Sequence, residues 1–263
     1  MNRIHKLFKD KKGSILSVFY TAGFPGLGDT VNIAQWLEEA GADLIEIGIP
    51  FSDPVADGPT IQQSNKVALD NGMNVALLLE QVREIRKSVH IPIILMGYLN
   101  PVLQYGVERF VSDAHKAGVD GLILPDMPAD VYQHEFKELF EKHHLTNTFL
   151  ISPTTSGDRI RRIDALTDGF IYAVSASSTT GARNTFSSDQ IAYFEKLKAM
   201  NLKNPFLIGF GISNQETFKV ASSYGYGAIV GSAFINTLRE SKSMEEDIAA
   251  FVKNIKGGID VPV

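Results

Sequence analysis

Short apolar, β-branched runs alternate with longer amphipathic segments along the chain. The runs are ILSVFYTAG (15–23), DLIEIGIP (43–50), IPIILMGY (91–98), GLILPDMP (121–128), NTFLISP (147–153), GFIYAVS (169–175), PFLIGFG (205–211) and GAIVGSAF (227–234). Between them, helical spacing of apolar residues marks 29–41, 75–88, 106–118, 132–143 and 188–200. Several of these segments close on Ala-Gly or another glycine, as a helix stop does. Eight runs in strict alternation with helices predict a parallel sheet, and a closed (β/α)8 TIM barrel is the economical way to satisfy its edges. The alternative is an open doubly wound sheet with a dinucleotide fingerprint. The first strand, however, leads into TAGFPGLGDT, and no strand is followed by G-x-G-x-x-G opening a helix. No linker, low-complexity tract or break in composition divides residues 1–263, so one barrel domain is expected. MNRIHKLFKD reads as an additional N-terminal helix covering the barrel floor.

Barrel enzymes work at the C-terminal ends of their strands, which makes the residues there the informative ones. None of the six histidines (5, 90, 115, 134, 143, 144) falls at such an end, and no lysine does. A Schiff-base nucleophile is thereby removed. The titratable groups left are Glu46, Asp53, Asp57, Asp126 and tyrosines, chiefly Tyr98 and Tyr172.

The alternation of the second run sharpens this. Ile45, Ile47 and Ile49 share one face of the strand, while Leu44, Glu46 and Gly48 share the other. The isoleucines suit a face packed on helices, which directs Glu46 into the barrel mouth. A carboxylate there is partly desolvated, and its raised pKa suits proton exchange near neutrality. The alternative is a structural glutamate bonded to a neighbouring hydroxyl or backbone group. Asp57 follows in SDPVADGP, a loop shaped by proline and Asp-Gly. Alone it reads as a turn residue; beside an inward Glu46 it is a second acid or base. Asp53 could complete a Mg²⁺ or Mn²⁺ site, though no histidine supports a transition metal there.

At the far end of the chain, Gly211, Gly231 and Ser232 stand just after the last two strands. Barrels hold phosphate there with backbone N–H groups and a helix N-terminus. SSTTGARN (177–184) has the composition of a lid, or of a plain surface loop. Phe19, Met96, Ile123, Ile151, Tyr172 and Phe210, near strand ends, leave room for an apolar, aromatic part of a substrate.

Composition narrows the setting. Hydrophobic residues are 44% and charged residues 21%, which is globular. The net charge of −5 carries no basic footprint for nucleic acid or an anionic membrane. No apolar run reaches the roughly 18 residues of a membrane helix, and the N-terminus lacks the apolar core of a secretory signal. Without cysteine there is no disulfide, thiolate metal site or cysteine nucleophile. A cytoplasmic location is expected.

LIEIGIPFSDPVADGPTIQ closely resembles the signature of the tryptophan synthase alpha subunit family, and FYTAGFPG, MGYLNP, LPDMP, TTGAR, GFGIS and GSAFI extend the resemblance over nearly the whole chain. The resemblance implies a metal-independent lyase that cleaves indole-3-glycerol phosphate to indole and glyceraldehyde 3-phosphate. It implies that Glu46 protonates indole C3 and helps to take the glycerol hydroxyl proton, and that Asp57 binds the indole N–H. By the same likeness Phe19 and Tyr172 lie around the indole, and Thr180 is the lid residue that closes on Asp57. Gly181, Gly211, Gly231 and Ser232 form the phosphate site. Asp53, Pro54, Asn100 and Pro128 match positions near a partner, the pyridoxal-phosphate beta subunit, in a heterotetramer of two alpha and two beta chains that channels indole. No cofactor is implied for this chain. Phe24 stands where an acid is common in the family, and Ala176 and Ser178 stand where arginine and glycine are frequent. These departures bear on lid closure and on activation by the partner. The rival readings are a metal-dependent epimerase or aldolase on sugar phosphates, and a non-catalytic barrel kept to dock to a beta subunit.

Overall fold

The computed structural model describes residues 1–175 and 185–257. Nine parallel strands form one curled sheet: β1 (Ile15–Thr21), β2 (Leu44–Gly48), β3 (Ile93–Met96), β4 (Gly121–Ile123), β5 (Thr146–Asn147), β6 (Leu150–Ile151), β7 (Ile171–Val174), β8 (Phe206–Gly209) and β9 (Gly227–Val230). Their spatial order is β5-β4-β3-β2-β1-β9-β8-β7-β6. β5 and β6, the two edges of that order, are successive pieces of the single run predicted at 147–153. The first piece pairs with β4 and the second with β7. Between them the Thr148 N–H donates to Leu122 O (3.1 Å), and Phe149 O accepts from the Tyr172 N–H (2.9 Å). The sheet therefore closes through this one segment, giving the eight-run barrel of the sequence pattern.

Helices follow the strands, and several lie beyond the predicted set. Pro59–Asp70 starts directly after the Asp57 loop, with proline in its first turn, where a missing N–H costs nothing. Leu99–Tyr105 follows β3, and Ser232–Glu240 follows β9. The segment predicted as one helix at 132–143 contains a π-helical stretch, Tyr132–Phe136, before Lys137–Lys142.

Strand alternation divides the core in two. Val18, Tyr20, Ile45, Ile47 and Ile49 pack outward against the helices. Ile15, Leu44, Ile94, Ile123, Leu207 and Ile229 fill the barrel interior. The N-terminal helix Arg3–Asp10 closes the floor by inserting Ile4 and Phe8 into that interior. Gly121 and Gly169 make the space, since a Cβ on either would lie 3.0 Å from the Ile4 side chain. Ile4→Ala should cost about 3 kcal/mol through lost burial and the cavity left behind. A denaturant titration reads that loss, and the chemistry at the opposite end of the barrel should be unchanged.

The floor also collects carboxylates, and there they are structural. Asp43 accepts from Lys11 (2.7 Å), Lys256 (3.0 Å) and the Leu16 N–H (2.9 Å). Asp120 pairs with Arg86 and with Arg3 (3.0 Å) and accepts the Ile93 N–H (2.9 Å). Each of these acids has its charge answered. Among the described residues, Glu46 and Asp57 at the other end of the barrel have no ion-pair partner.

Candidate active site

A cavity of about 370 Å³ opens at the C-terminal ends of the strands, a size that suits a small organic ligand. Glu46 lies at its base. Its residue is fully buried, on the inward face of β2 with Leu44, while Ile45, Ile47 and Ile49 face the helices. Ser17 on β1 donates to Glu46 Oε1 at 2.7 Å. Glu46 Oε2 is buried with no hydrogen-bond partner among the described residues. Burial pushes the Glu46 carboxyl up to about 7, and the Ser17 bond partly opposes it. A bond to a carboxylate favours its charged form, and removal from water disfavours it; here the second effect is larger.

Asp57 reaches the same cavity from the loop after β2 and is half-buried. The loop is held at both ends. Its Asp57 N–H donates to Pro54 O (3.0 Å), and Gln62 Nε2 donates to Asp57 O (2.9 Å). Tyr98 Oη accepts the Ala56 N–H (3.0 Å) and donates to Asp57 Oδ2 (3.3 Å). A 2.7 Å hydroxyl pair, Thr21–Ser64, fixes the following helix to β1. Burial raises the Asp57 carboxyl to about 6, against the lowering effect of the Tyr98 bond.

The aromatic wall is shaped by glycines. A Cβ on Gly48 would lie 2.7 Å from Phe19 Cζ, and one on Gly209 would lie 2.1 Å from the Tyr172 ring. Tyr172 and Phe210 have ring centroids 6.2 Å apart. Phe210 sits in the left-handed region at φ +68°, with its carbonyl held by Ser175 Oγ at 2.7 Å. The Tyr172 phenol is pushed well up, by burial first and then by the charges of Glu46 and Asp57. Gly209→Ala should drive the ring out of place and lower turnover by about 100-fold, the scale expected for ångström-level misplacement in an active site. Steady-state kinetics would measure this, and the circular dichroism spectrum should be retained.

At the far wall, Gly211 adopts φ +74° after β8. Gly231 precedes the helix Ser232–Glu240, whose first turn has no side-chain cap. Gly211, Gly231 and Ser232 all line the cavity. Unpaired backbone N–H groups and the helix dipole make that corner a place for an anion.

Most of the predicted residues thus meet in one cavity: Glu46, Asp57, Phe19, Met96, Tyr172, Phe210, Gly211, Gly231 and Ser232. Two do not. Ile123 points inward but is sealed in the interior layer beneath the cavity. Ile151 faces the helices, because alternation along β6 turns Leu150 inward instead. Thr180 and Gly181, with Ala176 and Ser178, lie outside the described residues. Among the positions matched to a partner contact, Asp53, Asn100 and Pro128 are exposed. Pro54, in the same loop, is buried, and its carbonyl anchors the Asp57 turn. Asp126 caps the helix at Leu99, whose N–H donates to both carboxylate oxygens (2.9 and 3.1 Å). Phe24 is buried, packed in the outer core between the barrel and its helices.

Sequence reasoning missed Thr60 and Asn236, both lining the cavity. Asn236 Oδ1 is buried and unpartnered among the described residues. Its spacing from Ser232 on one helix face (i, i+4) was the available signal.

The profile of one family, tryptophan synthase alpha chain, matches residues 5–260. The chain belongs to the tryptophan synthase alpha chain family. A tryptophan synthase alpha chain from Flavobacterium psychrophilum is 56% identical over 256 residues, covering 97% of this chain and all of the relative. One from Parabacteroides distasonis is 50% identical with the same coverage. Among solved structures, tryptophan synthase subunit alpha from Legionella pneumophila superposes with a TM-score of 0.90 at 36% identity, covering 99% of each chain. The tryptophan synthase complex from Pyrococcus furiosus gives 0.86 at 33% identity, covering 94% of this chain and 99% of that one.

The tryptophan synthase alpha chain is a carbon–carbon lyase of tryptophan biosynthesis. It cleaves indole-3-glycerol phosphate, and the indole passes to a beta subunit. Family membership sets aside the epimerase and docking-only readings. Among the described residues, no three His, Asp or Glu side chains converge as metal ligands. Among the same residues, no helix is long and apolar enough to cross a membrane.

Proposed function

We propose that Glu46 and Asp57 divide the proton handling of indole-3-glycerol phosphate cleavage between them. Protonated Glu46 delivers its proton to indole C3. The ring becomes an indolenine cation, and ionised Asp57 holds its N–H and stabilises the charge. The Glu46 carboxylate so formed takes the proton of the hydroxyl on the side-chain carbon bonded to C3. That O–H electron pair becomes the aldehyde C=O, the carbon–carbon bond breaks, and its electrons restore the aromatic ring. Glu46 ends protonated, as it began, and the products are indole and glyceraldehyde 3-phosphate. The protonated ring is the electron sink, so the step calls on neither a lysine nor a cofactor of this chain.

The observation that carries this reading is the state of Glu46, fully buried, with one oxygen tied to Ser17 and the other unpartnered in the cavity. In the proposed pose Phe19, Met96, Tyr172 and Phe210 pack the indole. Gly211, Gly231 and Ser232 hold the phosphate, joined by Gly181 and by closure of a lid carrying Thr180. Residues 1–263 act as one barrel domain in the cytoplasm.

The proposed partner is a beta subunit carrying pyridoxal phosphate, in a heterotetramer of two chains of each kind. Asp53, Asn100 and Pro128 would face it. Val55 supports a docking face beside the cavity mouth: it is 86% exposed, two residues from Asp57. Release of indole from indole-3-glycerol phosphate, with the chain alone and with a beta subunit of a relative, tests both parts. Cleavage stimulated by the partner is the expected result. No cleavage in either mixture would overturn the reading.

A further inference from the structure

Ser17 is the only hydrogen-bond partner of the Glu46 side chain among the described residues. Both side chains are fully buried. In the β1–β2 register Ser17 stands beside Leu44 and Phe19 beside Glu46, so the 2.7 Å bond runs diagonally across the strand pair. Phe19 blocks the direct route, because its ring occupies the space above Gly48. On the other side Glu46 is level with Ile94 of β3, which offers no polar atom. The titratable groups facing Glu46 across the cavity are Asp57 and Tyr172. Neither is bonded to it.

We propose that Ser17 is the positioning residue of the reaction: by tying Oε1 it fixes the carboxyl plane and leaves Oε2 as the atom that carries the proton to and from substrate. The inference rests on the acid–base reading of Glu46 and deepens it. A carboxyl with both oxygens free in an apolar pocket would rotate about its terminal torsion, which is broad and roughly two-fold. A single buried donor selects one orientation. It also favours the carboxylate, the form that must take the hydroxyl proton in the second half of the step. The hydroxyl bond therefore serves both halves: geometry for protonation, and enough basicity for the return.

Ser17→Ala removes one oxygen from a buried strand position and leaves a small apolar residue that the fold accepts. In the full chain, kcat for indole release is measured against pH for wild type, Ser17→Ala, Ser17→Thr and Glu46→Gln. Losing the bond to the charged form should move the upper-pH limb of kcat upward by about one pH unit, with KM unchanged. Ser17→Thr, which keeps the hydroxyl, should return the limb toward wild type. In parallel, the infrared carbonyl band of protonated Glu46, isolated as the difference from Glu46→Gln, should shift in Ser17→Ala. An unmoved limb together with an unmoved band would overturn the role of Ser17. Full cleavage by Glu46→Gln would instead strike the acid–base reading itself, and the infrared band would still report whether Ser17 holds the carboxyl.

Discussion

Glu46→Gln should abolish most turnover and at the same time stabilise the folded chain. The activity loss is expected at about 1,000-fold, within the usual contribution of a positioned proton donor. The gain in stability follows from the burial that makes the residue useful. Its carboxyl has an ordinary value of 4.5 and is raised to about 7 in the folded chain. Below pH 4.5 the group is protonated in both folded and unfolded states, and it carries no penalty. Between 4.5 and about 7 the folded chain keeps a proton that the unfolded chain releases, so stability falls as pH rises through this window. Above pH 7 the full cost of a buried carboxylate is present, about 3 kcal/mol at 1.4 kcal/mol per pH unit. Denaturant titrations of wild type and Glu46→Gln should therefore agree near pH 4 and separate by about that amount at pH 8. A variant that is inactive and no more stable at pH 8 would mean that Glu46 is held by contacts other than the Ser17 bond.

Asp57→Asn should lower kcat by about 100- to 1,000-fold while changing KM little, since the charge it stabilises exists only once the ring is protonated. The amide keeps the size of the side chain, and Tyr98 can still donate to its oxygen, so the loop should stay in place. Steady-state kinetics of indole release separate the two parameters. A rise in KM with kcat preserved would assign Asp57 to ground-state binding instead.

The barrel was legible because strand and helix periods alternate without interruption, and because β2 has isoleucine at every second position. That one strand fixes the phase of alternation and so the inward direction of Glu46. The run NTFLISP has apolar residues on both parities, and its phase cannot be read; Ile151 was placed inward when Leu150 takes that side. The role of Ser17 depends on the register between β1 and β2, which no local pattern records. Thr60 sits in the first turn of its helix and Asn236 one turn into its own, and those helices were not drawn from the sequence because their apolar stripes are short. The burial of Pro54 is not written in any local pattern. It comes from the loop folding back on itself to present Asp57.

The proposed cleavage needs two carboxyls in opposite protonation states at once: Asp57 ionised, Glu46 protonated. The pH dependence of kcat/KM for indole release, which reports the groups of the free enzyme, tests this most directly. The structure predicts a narrow bell, rising as Asp57 ionises near pH 6 and falling as Glu46 loses its proton near pH 7. The two limbs belong to the pair as apparent values. The lower limb should vanish from the residual activity of Asp57→Asn, which separates it from titration of the substrate phosphate. A kcat/KM that stays level or climbs from pH 7 to 9 would contradict a protonated Glu46 and, with it, the mechanism.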